Sequence, residues 1–113
     1  MAEKFTIRPA GQLIVVRTGD SVLAETRNAL VLSEDGYAPV YYFPREDVAM
    51  ELLDRSDKVT HCPHKGDATH YHIGGYSGRI SDGAWSYETP KEAASDIAGY
   101  LAFYTDKLAV EVL

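Results

Sequence analysis

Residues 39–48, Pro39-Val40-Tyr41-Tyr42-Phe43-Pro44-Arg45-Glu46-Asp47-Val48, decide the fold class. Val40 to Phe43 is dense in β-branched and aromatic residues and reads as a buried strand. Pro44 then changes the pattern: proline suits a first helical turn, acids at Glu46 and Asp47 complement the helix dipole, and Val48, Leu52 and Leu53 follow at helical spacing. A short helix over about 45–53 is therefore predicted. Upstream, period-two patterning predicts strands at Phe5–Arg8, Leu13–Val16, Ser21–Thr26 and Ala29–Leu32, with turns at Pro9-Ala10-Gly11, Thr18-Gly19-Asp20 and Ser33–Gly36.

Downstream, Asp54-Arg55-Ser56-Asp57 reads as the end of the helix, and Lys58-Val59-Thr60 as a strand running into a turn at Cys62-Pro63-His64-Lys65-Gly66. β character resumes at Thr69–Ile73 and again around Arg79-Ile80 and Ala84–Tyr87, on either side of the glycine-rich turn Gly74-Gly75-Tyr76-Ser77-Gly78. Thr89-Pro90-Lys91-Glu92 has the form of a capping box with proline in the first helical position. It predicts a second helix near 90–106, with Ile97, Leu101, Tyr104 and Leu108 facing the sheet and a Thr89 cap worth about 1 kcal/mol. The expectation is a single α+β domain spanning 1–113, mainly antiparallel.

A chain of 113 residues buries roughly two-thirds of its unfolded surface, enough for a core without disulfides. One cysteine cannot pair within the chain, and there is neither an apolar signal core nor a bilayer-length run, so the expected compartment is the cytoplasm. Seventeen acids against eleven bases give a net charge of −6, which argues against nucleic acid as a partner, and no basic amphipathic helix points to a membrane surface. Eight tyrosines against three phenylalanines suggest a wall that is half core and half binding surface.

Thr60-His61-Cys62-Pro63-His64-Lys65-Gly66-Asp67 concentrates the reactive side chains. Cys62 activated by neighbouring cations, with Asp67 orienting a histidine, would suit covalent catalysis. Residues adjacent on an extended chain point to opposite faces, however, so His61 is badly placed to reach the sulfur, and a buried, inert thiol is the plainer reading. His70 and His72 share one strand face and, with His61, Cys62 and His64, would make a zinc set. The ligands fall in one local cluster without paired-cysteine knuckles, so no metal and no cofactor are expected. The turn at 74–78 lacks the lysine and the strand-to-helix context of a phosphate loop. Arg45 and Lys65 are better anion anchors.

Four segments in this order closely resemble a small bacterial family of unknown function that carries a nucleotidyltransferase label: residues 39–48, Thr60–Ala68, Ala84–Tyr87 and Ile97–Tyr104. The family pattern matches at Tyr42, Pro44, Arg45, Asp47, His61, Cys62, Pro63, Lys65, Gly66, Trp85 and Tyr104. It departs at His64 and around His70 and Tyr71, where the family carries aromatics. The resemblance implies a β-tent-like pair of antiparallel sheets with a cleft between them, similar in fold to methionine sulfoxide reductase B, Yippee-type and cereblon ligand-binding domains. Nucleotidyl transfer itself finds no machinery in the sequence, which has no Asp-x-Asp or Asp-x-Glu pair to hold magnesium. The expectation is a binding module taking a small polar or anionic ligand against Tyr42, Arg45, Lys65, Asp67, Trp85 and Tyr104. The alternatives are an enzyme using Cys62 or His61, and motifs that serve only to hold the fold. Arg45, His61, Cys62 and Lys65 are expected to converge with Tyr42 and Trp85 on one cleft.

Overall fold

In chain order the strands are β1 (Phe5–Pro9), β2 (Ile14–Thr18), β3 (Ser21–Thr26), β4 (Leu30–Glu34), β5 (Val40–Tyr42), β6 (Leu53–Cys62), β7 (Gly66–Ile73), β8 (Ile80–Ser86), β9 (Ala102–Phe103) and β10 (Ala109–Val112). They form three antiparallel sheets, ordered β1-β4-β5, β10-β2-β3 and β6-β7-β8-β9. The computed structural model describes residues 5–19, 21–74 and 78–113, so the turns read at 18–20 and 74–78 fall partly outside the described residues. The predicted strands before residue 44 are present. The two sheets implied by the resemblance are three, and the fold is mainly antiparallel β instead of α+β.

Neither predicted helix forms. The segment 45–53 contains two short 3₁₀ turns, Arg45–Asp47 and Met50–Leu52, with Val48 extended between them at φ −113° and ψ 139°. The cause is tertiary: Val48 bridges Ala24, and the Ala49 N–H donates to Leu23 O at 2.8 Å, so β3 claims the backbone groups that a helix would use. Asp54 to Asp57, read as a helix end, belong to β6, whose pairing with β7 shifts register between Arg55 and Val59.

The second helix fails for the same kind of reason. Thr89 caps nothing; the 3₁₀ stretch Glu92–Ile97 starts after Lys91, has no side-chain cap and is kinked at Ala94. The Lys91 N–H, which a helix start would leave free, donates to Lys65 O at 2.9 Å, and Lys91 Nζ donates to Pro63 O at 2.7 Å. The segment is thus stitched to the β6–β7 turn. Gly66 suits this turn through its backbone: its φ of +108° is a conformation that other residues rarely adopt, while the 3.5 Å to Lys91 N would leave room for a Cβ.

Beyond the kink, Gly99 at φ +77° reverses the chain, and Leu101, Ala102 and Phe103 are all buried in succession. Three consecutive buried residues fit a strand between two apolar layers, whereas a helix would bury one stripe. Leu101 and Phe103 enter the core built around Ile14, Leu23, Phe43 and Ile73, and Ala102 enters the one built around Phe5, Leu32, Tyr42 and Ile97. Tyr42 and Phe43 divide between the same two cores by strand alternation. Reciprocal backbone bonds between Phe43 and Leu101, at 2.8 and 2.9 Å, join the two segments. Among the described residues no helix is long and apolar enough to cross a membrane.

Candidate functional site

A cleft of about 320 Å³ opens between the β4–β5 ribbon and one face of β6–β8. Its size is at the lower end for small-molecule sites. β5 contributes Tyr42, β8 contributes Trp85 and Tyr87 lies just beyond it, β7 contributes His70, and Tyr104 follows β9. Tyr37, in the turn after β4, stands at the margin and is exposed. The rings form a corner. Tyr42 and Trp85 meet edge-on at 6.3 Å and 88°, and Trp85 and Tyr104 lie 4.5 Å apart, inclined by 45°.

Among the described residues, an ion pair of the lining joins Lys65 to Glu34. Lys65 comes from the β6–β7 turn and is almost fully buried; its Nζ donates to Glu34 Oε1 at 3.3 Å and toward Cys62 Sγ at 3.6 Å, and lies 5.3 Å from the centre of the Phe5 ring. Burial raises the Tyr42 phenol well above its ordinary range, only partly opposed by Trp85. Burial, reinforced by the nearby Cys62, Tyr104 and Glu34, pushes Tyr87 up to about 12. Both hydroxyls stay protonated at neutral pH and are available as donors.

His70, a candidate zinc ligand by its spacing from His72, lies on β7. It is 1% exposed. Its Nε2 pairs with Tyr104 OH at 3.0 Å, its ring stacks on Tyr104, and its Nδ1 has no protein partner. Burial lowers its pKa, which keeps the imidazole neutral. His72 has a separate role: its Nδ1 accepts the Asp82 N–H at 3.1 Å, which requires that nitrogen to be unprotonated. Among the described residues no three His, Cys, Asp or Glu side chains are grouped to hold a metal ion.

Tyr42, Lys65, Trp85 and Tyr104 of the predicted set line the cleft; Arg45, His61, Cys62 and Asp67 do not. Arg45 Nη1 donates to Gly99 O at 2.9 Å, and Nη2 donates to Tyr71 OH at 2.9 Å and Glu88 Oε2 at 3.2 Å. The Tyr71 hydroxyl also donates to Glu88, completing a triangle. Burial disfavours the Glu88 charge, but Tyr71 and Arg45 outweigh it and hold the carboxyl below its ordinary range. His61 pairs with Asp67 at 2.8 Å across the β6–β7 hairpin on an exposed face. Cys62 is half-buried, packs against the core around Tyr42 and Tyr87, and its Sγ lies 3.6 Å from Lys65 Nζ.

Glu34, Tyr37, Tyr87 and the buried orientation of His70 are the parts that sequence reasoning misses. Glu34 reads as a turn residue, and nothing local announces that β4 lies opposite the β6–β7 turn. A second cavity of about 330 Å³ shares Trp85 and Tyr104 with the first and is otherwise largely apolar, with Tyr41, Phe43, Phe103 and Val110 among its walls. No curated protein matches the chain. The profile of the family described as "Domain of unknown function (DUF427)", labelled NTP_transf_9, matches residues 6–113, nearly the whole chain, and the protein belongs to that family.

Proposed function

We propose that the protein is a small-molecule binding module whose site is the cleft walled by Tyr42, Trp85, Tyr87 and Tyr104. The observation that carries this reading is the composition of the wall: aromatic rings for contact area, with the Lys65–Glu34 pair, neutral His70 and protonated tyrosine hydroxyls to orient polar groups. A polar occupant fits this wall better than a strongly anionic one, because Lys65 is balanced by Glu34 and the Arg45 guanidinium is spent on Gly99, Tyr71 and Glu88.

Trp85 is the sole tryptophan and walls both cavities, whereas Lys65 lines only the cleft, so an emission change that is altered in Lys65→Met reports on this wall. A set of small polar compounds screened by ligand-observed NMR should yield binders that also shift Trp85 emission. A set with no binder, or binders that all leave Trp85 unchanged, rejects the reading.

The enzymatic alternative has one observation in its favour, the Lys65 ammonium against Cys62 Sγ. Alkylation by iodoacetamide at pH 7 discriminates: a rate on the order of ten times that of free cysteine supports a nucleophile, and a slower rate supports a packed thiol.

A further inference from the structure

We infer that the open edge of β10 docks an extended peptide of alternating apolar and basic residues, whose apolar side chains enter the second cavity. The site is separate from the cleft and its ligand. Backbone alternation shows which groups are on offer. Leu113 N–H donates to Leu13 O at 2.9 Å, and the register pairs Glu111 with Val15 and Ala109 with Arg17, so these residues of β10 turn their backbone groups toward β2. Val110 and Val112 therefore turn theirs away from β2, and β10 is the outer strand of its sheet. Their N–H and C=O groups are aligned to pair with a further strand.

Among the described residues the other outer strands are each guarded. β3 is bridged by Val48 at Ala24, and β5 and β9 are joined through Phe43 and Leu101. β6 is exposed and charged at Asp54, Arg55, Asp57 and Lys58 and shifts register there, and β1 ends on Pro9. Charges, irregular register and proline are the usual protections of an edge. β10 has Val112 42% exposed instead, followed by Leu113 at 66%. Val110 and Val112 also border the second cavity of about 330 Å³, with Tyr41, Phe43 and Phe103 among its walls. A strand laid beside them carries every second side chain over that apolar space.

Charge decides against a second copy as the guest. Two β10 strands related by a two-fold engage both valines of each only when Val110 faces Val112, and that register sets the Glu111 carboxylates of the two copies directly opposite each other, a destabilising arrangement. Arg17 holds one oxygen of each Glu111 but lies on the β2 side. Two copies at −6 apiece also repel one another. A lysine placed opposite Glu111 reverses the sign of the contact, and Asp106 at the cavity rim favours basic guests too.

The probe is the fluorescein-labelled heptapeptide acetyl-TVKVKVT-amide, titrated by anisotropy and by the amide resonances of Val110 and Val112. In antiparallel pairing the guest valines face Val110 and Val112 and exchange backbone bonds with them. N-methylation of the valine amides should therefore weaken binding at least about tenfold, whereas N-methylation of the lysine amides, which point away from β10, should leave it unchanged. Glutamate in place of both lysines should weaken it several-fold. Val112→Pro removes an N–H that has no partner in the fold, so it should weaken the peptide about tenfold with the thermal midpoint nearly unchanged. No binding of the parent peptide, equal binding of the two methylated forms, or tighter binding of the glutamate form overturns the inference. A dimer in sedimentation that Val112→Pro dissolves assigns the edge to a second copy and overturns it too. Should Val112→Pro not fold, the two methylated peptides decide alone.

Discussion

Arg45 and Lys65 each sit beside a carboxylate and an aromatic ring, yet the two clusters do opposite things. Around Arg45, guanidinium, Tyr71 hydroxyl, Glu88 carboxylate and Gly99 carbonyl satisfy one another, clamping the first 3₁₀ turn to the segment that reverses at Gly99. Around Lys65, the cation and its partner Glu34 both border a cavity. The lesson is that residue type does not distinguish a clamp from a binding wall. What distinguishes them is whether the surrounding backbone closes over the polar groups or leaves space beside them.

The largest effect should follow from opening the clamp. Arg45→Ala removes three bonds donated by a charged guanidinium, one of them to a carboxylate; discounted for a side chain 40% exposed, the loss should be about 2 kcal/mol in urea unfolding, with occupancy of the cleft unchanged. A loss of ligand response with full stability would reverse the roles of the two clusters. Lys65→Met should cost less, about 1 kcal/mol, because Glu34 keeps access to water once its partner is gone, and it should alter the response of Trp85 to ligands.

His70 sharpens the comparison through pH. Its folded pKa lies below the ordinary 6.5, so the unfolded chain binds the extra proton first. The stabilisation from neutral His70 is therefore complete above about pH 6.5 and declines as pH falls below it. The thermal midpoint should drop between pH 7.5 and 5.5 in the wild type, and less in His70→Gln, which retains a polar group opposite Tyr104 and cannot titrate. Equal drops in the two proteins would place the titrating group elsewhere. The smallest effect is expected at Thr89→Ala: with no cap bond to lose, the change should stay within about 0.5 kcal/mol, and a loss near 1 kcal/mol would restore the predicted helix start.

That last contrast shows where sequence patterning stops. β1 to β5 are legible because short apolar and β-branched runs bounded by turn residues are a local signal. The spacing of Ile97, Leu101, Tyr104 and Leu108 imitates a helical stripe, but the backbone partners of Leu101 and Tyr104, Phe43 and Gly83, lie far away in sequence. The aromatic run Tyr100–Tyr104 behind a glycine was the available warning. At the site, Tyr42, Lys65, Trp85 and Tyr104 were legible as aromatic and cationic residues at strand ends, and their grouping in one cleft supports the proposed module. Glu34 and Tyr87 were not, because their relevance comes from two sheets meeting. Arg45 looked like an anchor because its chemistry suits one, and only the positions of Glu88, Tyr71 and Gly99 show what it holds.

One pairing also sets the order of events in assembly. β10 lies beside β2, and Arg17 meets Glu111 across 94 residues of chain. At the usual ~5–20 residues per second, a nascent β2–β3 hairpin waits roughly 5–20 s for the strand that covers its open edge. Closure over so long a loop is slow compared with local hairpin formation, so β10 docking is a late step, and until it happens the unpaired backbone of Ile14 to Arg17 is a template for other chains. The charged Arg17–Glu111 pair on that seam gives the late strand a register mark as it arrives.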